Sequence, residues 1–596
     1  MTTTSYWFNR LTRRSMLRGA AAGAAALGAA SLIACGDDDK AGSQSSGNEI
    51  RESDRKDTSA RAKPGGNWGF FLNADPANLD TIASAAASTQ NFGAYSYSRL
   101  LKWKPGIEKP ANGEIEGDLV ESWEMSPDQL RLTLKLKPNA GTDPRPPLNG
   151  RMMASEDVKF SFNKFLALSS YASNLFNSKS PSAPITQIQY PDSRTAVIQM
   201  AFPTAAIYDA LAEFGGFYVM PTEADGKFNP RSEAHGSGPW FLKSYSPSSV
   251  AEFARNPNWY VKGRPFLDGI TRPVVSEYST QLAQFNAGRI WSDVVRADDV
   301  PTVKKSHPEL LLYSGEFAGS AQTIYFGWNG PFKDERVRRA ASMSIDRELY
   351  AETFSGNEKL EKEGLPTRLA YNTNIGAGWG PWWLDPFGKE MGDASKNYTR
   401  NVPEAKKLMA AAGFASGFDS DFHTISGATY GTDWQRQMEV LLAMIAESGI
   451  KFKLLLEDYA TVYIPTYQYS KGLFDGASAM PGGVRADAGQ MLQIFYHSDG
   501  SASRIPPKAN PAMDSLIERQ LREPDREKRL ALTHEIQRTL AKGMDALPVG
   551  FQAAPYNLVW PWLQNRGAYR SWVSGGGAAS TEVYPFLWFD ETKKTS

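Results

Sequence analysis

The chain has 596 residues, and its 65 Lys and Arg residues balance 65 Asp and Glu residues, so the formal net charge is zero. This balance argues against a protein that binds nucleic acid or acidic membranes through an overall positive field, and it leaves only a local basic patch open. The single cysteine, Cys35, and five widely spaced histidines exclude an intrachain disulfide and the usual Cys or paired-His metal motifs, so we expect no metal site and no cofactor.

The N-terminal segment, residues 1–34, has the features of an export signal. Arg13 and Arg14 match the arginine pair of a twin-arginine signal, and a short stretch rich in Ala and Gly follows them. This stretch is shorter and less apolar than a transmembrane span of about 20 residues. It ends in the sequence LIAC, which resembles a bacterial lipobox, so we expect Cys35 to carry a lipid. The alternatives are a cleaved signal without lipid and a short membrane anchor.

Residues 35–63 contain almost no large apolar side chains, and charges of both signs alternate along them. Such a run cannot bury enough apolar surface to offset the entropy lost on ordering. We therefore predict a flexible tether that joins a lipid anchor in the membrane to a folded body outside the cytoplasmic membrane, in the periplasm or at the cell surface.

The first part of the body shows both strand and helix patterns. Leu130–Lys137 alternates apolar and polar residues, as is typical of a half-buried strand. A helix is predicted to begin at Ser155, whose hydroxyl is expected to cap it, and Val158, Phe162 and Phe165 share one face of that helix.

The later part of the body repeats helix-then-strand units. A helix is predicted from Asn401 to about Gly413, and a second carries the apolar stripe Met438–Ile445. The second helix ends near Gly449 and leads into the alternating strand Ile450–Leu456. Units of this kind favour an α/β sheet with both faces covered, and the length of the chain favours more than one lobe.

Several short motifs occur in a recognisable order from the first to the second half of the body. They are Leu79–Asp80, Gly117–Trp123, Ala154–Val158, Gly236–Trp240, Arg255–Tyr260, Gly263–Ile270, Phe326–Asn329 and Val337–Arg347. Taken singly, each has a structural explanation as a turn, a packed aromatic run or an amphipathic helix. Taken together and in this order, they resemble the large extracytoplasmic solute-binding proteins of ABC importers, the family of oligopeptide-, dipeptide- and nickel-binding proteins. The resemblance covers the chain from about Gly65 to about Phe589.

The resemblance implies an α/β fold of the two-lobe periplasmic-binding-protein type (type II, large cluster C). Lobe I is expected at about 64–328 plus 549–596, with an extra subdomain at about 106–235, and lobe II at about 329–548. The hinge strands are expected near Tyr325–Asn329 and Leu547–Gly550. Ligand contacts both lobes, so it favours the closed state and shifts the population towards it.

The resemblance also implies a function and partners. We expect a lipid-anchored monomer that captures a small solute and delivers it to the ABC permease subunits in the membrane, without binding nucleic acid. In peptide-binding relatives, a Trp-x-x-Asp stretch supplies an aspartate to the free amine of the peptide. Here that position falls on Gly483 or Val484, and a buried amine without a partner is costly. An oligosaccharide, or an uncharged or anionic oligopeptide-like solute, is therefore expected.

Candidate ligand contacts in lobe II come from two loops. Arg485 offers a donor fork for a carboxylate, phosphate or sugar hydroxyl, or else is a surface arginine, and Asp487 is the nearest acidic substitute for the missing aspartate. Trp382 and Trp383 end the Gly-rich stretch Gly376–Trp383, and their rings either stack on the ligand or cover the edge of a lobe.

Candidate contacts in lobe I lie earlier in the chain. Asp75 matches a ligand-contacting acid of the relatives, and its alternative role is in a turn. Asn91 and Phe92 follow it and are expected to line the floor of the cleft, unless Phe92 belongs to the core. Ser237 is included as a polar contact, although its stretch Gly236–Trp240 also fits a tight turn into a strand.

Two other function classes remain open. A secreted hydrolase, glycosidase or peptidase-like, would use the same scaffold for catalysis, and paired carboxylates for glycoside hydrolysis have no sequence signature. The sequence contains no Gly-x-Ser-x-Gly elbow and no Walker A loop, so we expect no enzyme and name no catalytic residue. The other class is a ligand-sensing receptor without a transport partner.

Overall fold

The computed structural model describes residues 50–594, except for 85, 205, 213–216, 427–431, 483–486, 507–508 and 573–581. The candidate residues Arg13, Arg14, Cys35 and Arg485 lie outside the described residues. Within the described part of the chain, no helix is long and apolar enough to cross a bilayer.

The described strands are short, and most have three to eight residues. In chain order they are β1 (Asn67–Gly69), β2 (Leu101–Trp103), β3 (Gly106–Ile107), β4 (Ile115–Gly117), β5 (Val120–Met125), β6 (Arg131–Leu136), β7 (Ile185–Asp192), β8 (Thr195–Met200), β9 (Trp240–Ser246), β10 (Val250–Arg255), β11 (Gly269–Pro273), β12 (Leu311–Ser314), β13 (Thr323–Phe326), β14 (Leu369–Tyr371), β15 (Phe418–Ile425), β16 (Ile450–Glu457), β17 (Ala477–Met480), β18 (Ala546–Pro548), β19 (Phe551–Ala553), β20 (Tyr556–Val559), β21 (Leu563–Gln564), β22 (Tyr569–Arg570) and β23 (Trp588–Phe589).

The helices alternate with these strands along the chain. They are α1 (Ala87–Ser96), α2 (Ser155–Leu168), α3 (Ala172–Leu175), α4 (Ala206–Ala212), α5 (Tyr278–Asn286), α6 (Val300–Ser306), α7 (Glu335–Ser344), α8 (Arg347–Phe354), α9 (Asn357–Lys362), α10 (Val402–Ala411), α11 (Thr432–Ala446), α12 (Ala488–Tyr496), α13 (Pro511–Arg522) and α14 (Arg526–Gly543). A π-helix spans Tyr459–Gln468, and a 3₁₀ segment spans Ala377–Trp382.

The first predicted strand is confirmed as β6, which lies inside the antiparallel sheet β5-β6-β8-β7. Leu132, Leu134 and Leu136 are all buried, while Arg131 is exposed, as the alternation requires. The predicted helix is α2, but the Ser155 hydroxyl does not cap it. That hydroxyl donates to the carbonyl of Asp192 (2.7 Å), because Ser155 is already the first residue of the helix.

The second predicted unit is confirmed as α11 followed by β16. β16 is the edge strand of a five-stranded sheet with the order β16-β15-β17-β13-β18. Because an edge strand has only one neighbour, its side chains are less covered, and Leu456 is 44% exposed. β15 runs parallel to both β16 and β17, whereas β13 runs antiparallel to β17 and to β18.

Two hydrophobic cores organise the described residues. The larger core collects side chains from the first part of the body and from α12, α13 and the C-terminal strands. The smaller core surrounds the five-stranded sheet. On β13, Ile324 and Phe326 pack in the smaller core, while Tyr325 packs in the larger one. Since side chains alternate along a strand, β13 lies between the two cores.

The two segments predicted as hinges are neighbours in this sheet. Thr323 of β13 pairs with Pro548 of β18, and Tyr325 pairs with Ala546. The lobe boundaries themselves stay a prediction.

Candidate ligand-binding site

One edge of the five-stranded sheet gathers several loops. Because β15, β17 and β18 run in one direction and β13 in the other, the ends of the first three meet the start of β13. Thr323 of β13 accordingly pairs with both Met480 and Pro548. We call the line formed by Thr323, Met480 and Pro548, together with the residues directly beside them in the chain, the carboxyl edge. In α/β sheets, ligands bind in the crevice outside the carboxyl ends of the strands.

Two glycines allow the loops at the carboxyl edge to pack closely. A Cβ on Gly482 would lie 2.2 Å from the carbonyl oxygen of Ala321, so only glycine fits there. A Cβ on Gly550 would lie 2.9 Å from Oε1 of Gln322 and 3.1 Å from Nδ2 of Asn372. The side chains of Gln322 and Asn372 therefore converge on Gly550.

Several buried polar atoms at the carboxyl edge, and in the loop that follows Asn372, have no hydrogen-bond partner among the described residues. They include Oε1 of Gln322, Nδ2 of Asn372, Oδ1 of Asn374 and Nε1 of Trp379. The other amide atoms are used: Nε2 of Gln322 donates to Gln437 (3.2 Å), and Nδ2 of Asn374 donates to the hydroxyl of Tyr496 (3.1 Å). Since buried polar groups in proteins are nearly always paired, a cluster of unpaired ones is suited to bind a polar solute.

Arg504 adds a positive charge close to this edge. Its guanidinium lies 4.1 Å from the ring centroid of Tyr325, on β13, and its Nη1 donates to the carbonyl of Tyr467 (2.8 Å). The residue is 2% exposed, and its Nε has no partner. Burial raises the pKa of Tyr496, which also lies near Arg504, well above its usual value, so that hydroxyl stays neutral.

Asp75 and Phe92 are brought together by Tyr245. The Tyr245 hydroxyl donates to Oδ1 of Asp75 (2.6 Å), and burial followed by this bond raises the pKa of Tyr245. The other carboxylate oxygen of Asp75 accepts from the backbone and the hydroxyl of Ser248 (2.8 and 3.1 Å). Phe92 is fully buried and packs on the ring of Tyr245 (5.3 Å), and Asn91 precedes it on α1 and is half-buried.

Ser237 belongs to a buried hydrogen-bond network away from the carboxyl edge. Its hydroxyl donates to Ser98 (3.1 Å), which also receives a bond from the hydroxyl of Tyr260 (3.2 Å). The Tyr260 hydroxyl makes a second, short contact with Asp118. Desolvation and the Asp118 charge raise the pKa of Tyr260.

Trp382 and Asp487 both contact Arg529. The Arg529 guanidinium lies 5.2 Å from the Trp382 ring and pairs with the carboxylate of Asp487. Asp487 also caps α12, since it accepts from the backbone N–H of Gln490 (3.0 Å). Trp383 points elsewhere: its Nε1 donates to the carbonyl of Tyr371 (3.1 Å). The ligand roles of all these residues stay predictions.

Contacts also bridge the predicted subdomain and the helices of predicted lobe II. Nε2 of Gln493 lies 3.4 Å from the hydroxyl of Ser182, and the Arg522 guanidinium lies 4.7 Å from the ring of Phe202. Beside them is a cavity of about 20 Å³, lined in part by Asn174, Gln490 and Gln493. Its size fits one water molecule rather than a solute.

Sequence reasoning did not find Gln322, Asn372, Asn374 or Arg504. A signal existed for Gln322 and Asn372, because each is a polar residue directly beside a short apolar strand. The sequence gives no such signal for Arg504, because whether a charged residue has a partner depends on the tertiary fold. No group of three or more His, Cys, Asp or Glu side chains that could hold a metal ion occurs in the described residues.

Known proteins resemble this chain in sequence and in fold. The sequence pattern of the bacterial extracellular solute-binding proteins, family 5 Middle, matches residues 114–503. An ABC transporter peptide-binding protein from Brucella ovis is 27% identical over 254 residues, which cover 41% of this chain and 45% of that protein. The matched region thus spans less than half the length of that curated relative.

Two solved structures have a similar fold. The AgaA periplasmic binding protein from A. tumefaciens R10, in complex with agropinic acid, matches with a TM-score of 0.70 at 22% identity, over 88% of this chain and 99% of that one. DppA from Helicobacter pylori, in complex with the peptide STSA, matches with a TM-score of 0.71 at 17% identity, over 89% and 99%. Identities this low support the fold, and the predicted two-lobe α/β fold is confirmed.

Proposed function

Because the chain belongs to the bacterial extracellular solute-binding proteins of family 5, we propose that it is the solute-binding subunit of an ABC importer. It captures a small peptide-like or sugar-containing solute between its lobes and delivers that solute unchanged to the permease. The observation that carries this proposal is the carboxyl edge, where buried amide atoms of Gln322, Asn372 and Asn374 have no hydrogen-bond partner within the described part of the chain. Neutral donors and acceptors placed in this way fix the orientation of a bound polar solute.

Closure of the lobes is the second part of the proposal. The contacts of Gln493 with Ser182 and of Arg522 with Phe202 support a closed arrangement. A further ion pair, Arg296–Asp433 (3.0 Å), joins the segment before α6 to the first turn of α11. A solute that touches both lobes binds the closed state more tightly and so increases its population.

The expected solute lacks a free cationic amine. Asp487 is the acidic residue closest in sequence to Gly483 and Val484, where peptide-binding relatives hold an amine, and it is already neutralised by Arg529. A solute amine placed there would be buried without a counter-charge. The relatives bind a peptide in one case and agropinic acid in another, so both an amine-blocked peptide and a sugar-derived acid are candidates.

Lipid attachment at Cys35 and export through Arg13 and Arg14 complete the proposal, and the N-terminal sequence supports them. They place the binding body outside the cytoplasmic membrane, where an importer needs its capture subunit.

The function is tested by titrating the purified full chain with peptide, blocked-peptide and sugar-acid panels while tryptophan fluorescence is followed. Asn372→Leu removes an amide at the carboxyl edge and is expected to weaken binding about tenfold. The matched control is Asn112→Leu, at an exposed position, with unchanged affinity. Mass spectrometry of the solute after long incubation tests the alternative of catalysis. A hydrolysed product would contradict the proposal that the protein only binds its solute.

A further inference from the structure

Arg504 is buried and has no negatively charged partner in the described part of the chain. Its side chain is 2% exposed, and no carboxylate of the described residues lies within 4.0 Å of its guanidinium. One hydrogen bond, from Nη1 to the carbonyl of Tyr467, holds it, and Nε is unpaired. A buried cation in this state is costly unless something else supplies the charge and the acceptors.

Other buried arginines of the same chain are neutralised by acids. Arg338 is 3% exposed and pairs with Asp545 (2.8 Å). Arg529 is 6% exposed and pairs with Asp487. In both cases a carboxylate beside the guanidinium compensates for its burial.

Two more buried arginines have no acid within 4.0 Å among the described residues, but each makes several hydrogen bonds to other acceptors. Arg347 makes four hydrogen bonds: to the carbonyl and the hydroxyl of Ser342, to the carbonyl of Tyr398 and to the carbonyl of Pro548. Arg272 makes three, two of them to the carbonyl of Phe71. Arg504 makes one hydrogen bond, so among the described residues it has neither the charge partner of Arg338 and Arg529 nor the several acceptors of Arg347 and Arg272.

The surroundings of Arg504 place it at the carboxyl edge. Tyr325, beneath the guanidinium, is the residue of β13 that faces the larger core, and it lies two positions, about 7 Å, from Thr323 at the edge. Tyr496 lies near Arg504 and receives a hydrogen bond from Asn374, whose Oδ1 is one of the unpaired edge atoms. The guanidinium and the unpaired amides thus belong to one cluster.

We propose that Arg504 binds a carboxylate of the captured solute, a proposal that rests on the solute-capture function above. A carboxylate offers two oxygens to the guanidinium fork and supplies the missing charge in a water-poor site. The Tyr325 ring packs against the guanidinium and leaves its edge to a carboxylate, so less rotamer freedom is lost on binding. The solute class is therefore a small organic acid conjugate whose carboxylate enters the cleft: an amine-blocked peptide with a free C-terminus, or a sugar-derived acid.

The experiment uses the full chain and matched probes that differ only in the carboxylate. The probes are N-acetyl-Ser-Thr-Ser-Ala and its C-terminal amide, and agropinic acid and its methyl ester. Calorimetry measures each affinity for wild type, Arg504→Gln and Arg504→Lys. We expect wild type to bind at least one acid about 100-fold more tightly than its neutral counterpart, since a charge-assisted bidentate pair is lost.

The variants separate binding from structure. Arg504→Gln is expected to lower the affinity for the acid about 100-fold and that for the neutral counterpart less than threefold, while Arg504→Lys restores part of the preference. Arg436→Gln is the control, because Arg436 also stacks on a ring, that of Phe354 (5.2 Å), but is exposed. Thermal unfolding without solute should show Arg504→Gln at least as stable as wild type.

Three results would overturn the inference. Equal affinity of wild type for acid and neutral probes removes the carboxylate role while leaving solute capture intact. If Arg504→Gln lowered the affinity for the acid and the neutral probe equally, and also lowered the unfolding temperature, Arg504 would have a structural role only. No binding of any probe, or turnover of a probe, refutes the proposed function together with the inference.

Discussion

Glu582 provides a sharp test of the electrostatics of the larger core. Its side chain is 4% exposed, and neither carboxylate oxygen accepts a hydrogen bond from another of the described residues. Burial raises the pKa of Glu582 from 4.5 to about 7, against the opposing charge of Arg99. The native protein therefore holds this proton between about pH 4.5 and pH 7, where the unfolded chain has released it.

The sign of the pH effect follows from that difference. Because the native state binds more protons in this range, the free energy of unfolding falls as the pH rises from 4.5 to 7 and stays lower above it. The rise in the pKa of Glu582 from 4.5 to about 7, at roughly 1.4 kcal/mol for each pH unit, gives about 3.5 kcal/mol as the full effect on the free energy of unfolding. Glu582→Gln keeps the shape of the protonated acid, so it should abolish this contribution and stabilise the protein most at pH 8.

The assay is urea unfolding at pH 5 and pH 8, followed by tryptophan fluorescence, for wild type and Glu582→Gln. Glu591→Gln is the matched control in the same C-terminal segment, at an exposed position, and should behave like wild type. If Glu582→Gln showed the wild-type difference between the two pH values, or were less stable at pH 8, the carboxyl would not be the strained group inferred here.

Three further predictions concern packing, closure and anchoring. Phe332 is fully buried between Phe326 (4.9 Å) and Phe452 (5.7 Å), so Phe332→Ala should cost about 3–5 kcal/mol in urea unfolding, and a cost under 1 kcal/mol would contradict the packing. Asp433→Asn breaks a half-exposed ion pair with Arg296 and should change the free energy of unfolding by less than about 1 kcal/mol. It should nevertheless speed solute release in stopped flow, whereas the control Asp419→Asn should release solute at the wild-type rate. Cys35→Ala should move the protein from the membrane to the soluble fraction after cell lysis, and retention in the membrane would refute lipid anchoring.

Local patterns predicted the regular elements well. Leu132, Leu134 and Leu136 alternate in the sequence and are buried on one face of β6, because a strand with one covered face requires this period. The α11–β16 unit was predicted in a similar way, from the apolar stripe of its helix and the alternation of its strand. The Ser155 cap failed because the helix begins one residue earlier than a capping hydroxyl would need, and Asp157 instead accepts from the N–H of Ala154 (2.9 Å).

The candidate site was less accessible to sequence reasoning. Side-chain chemistry alone marked Asp487 as a free acid, but its pairing with Arg529 joins residues 42 positions apart and depends on how α12 packs against α14. The same holds for Arg504, whose importance lies in the partner that it lacks. Family resemblance supplied the two-lobe α/β fold, whereas the charge partners of Asp487 and Arg504 could be read only from coordinates.

The central claim is that a solute closes two lobes around itself. Small-angle X-ray scattering of the full chain, with and without a saturating solute identified in the titrations, measures this directly. The account predicts a smaller radius of gyration with solute, and a reduced change for Asn372→Leu at the same solute concentration. Superimposable scattering curves at full occupancy would contradict it.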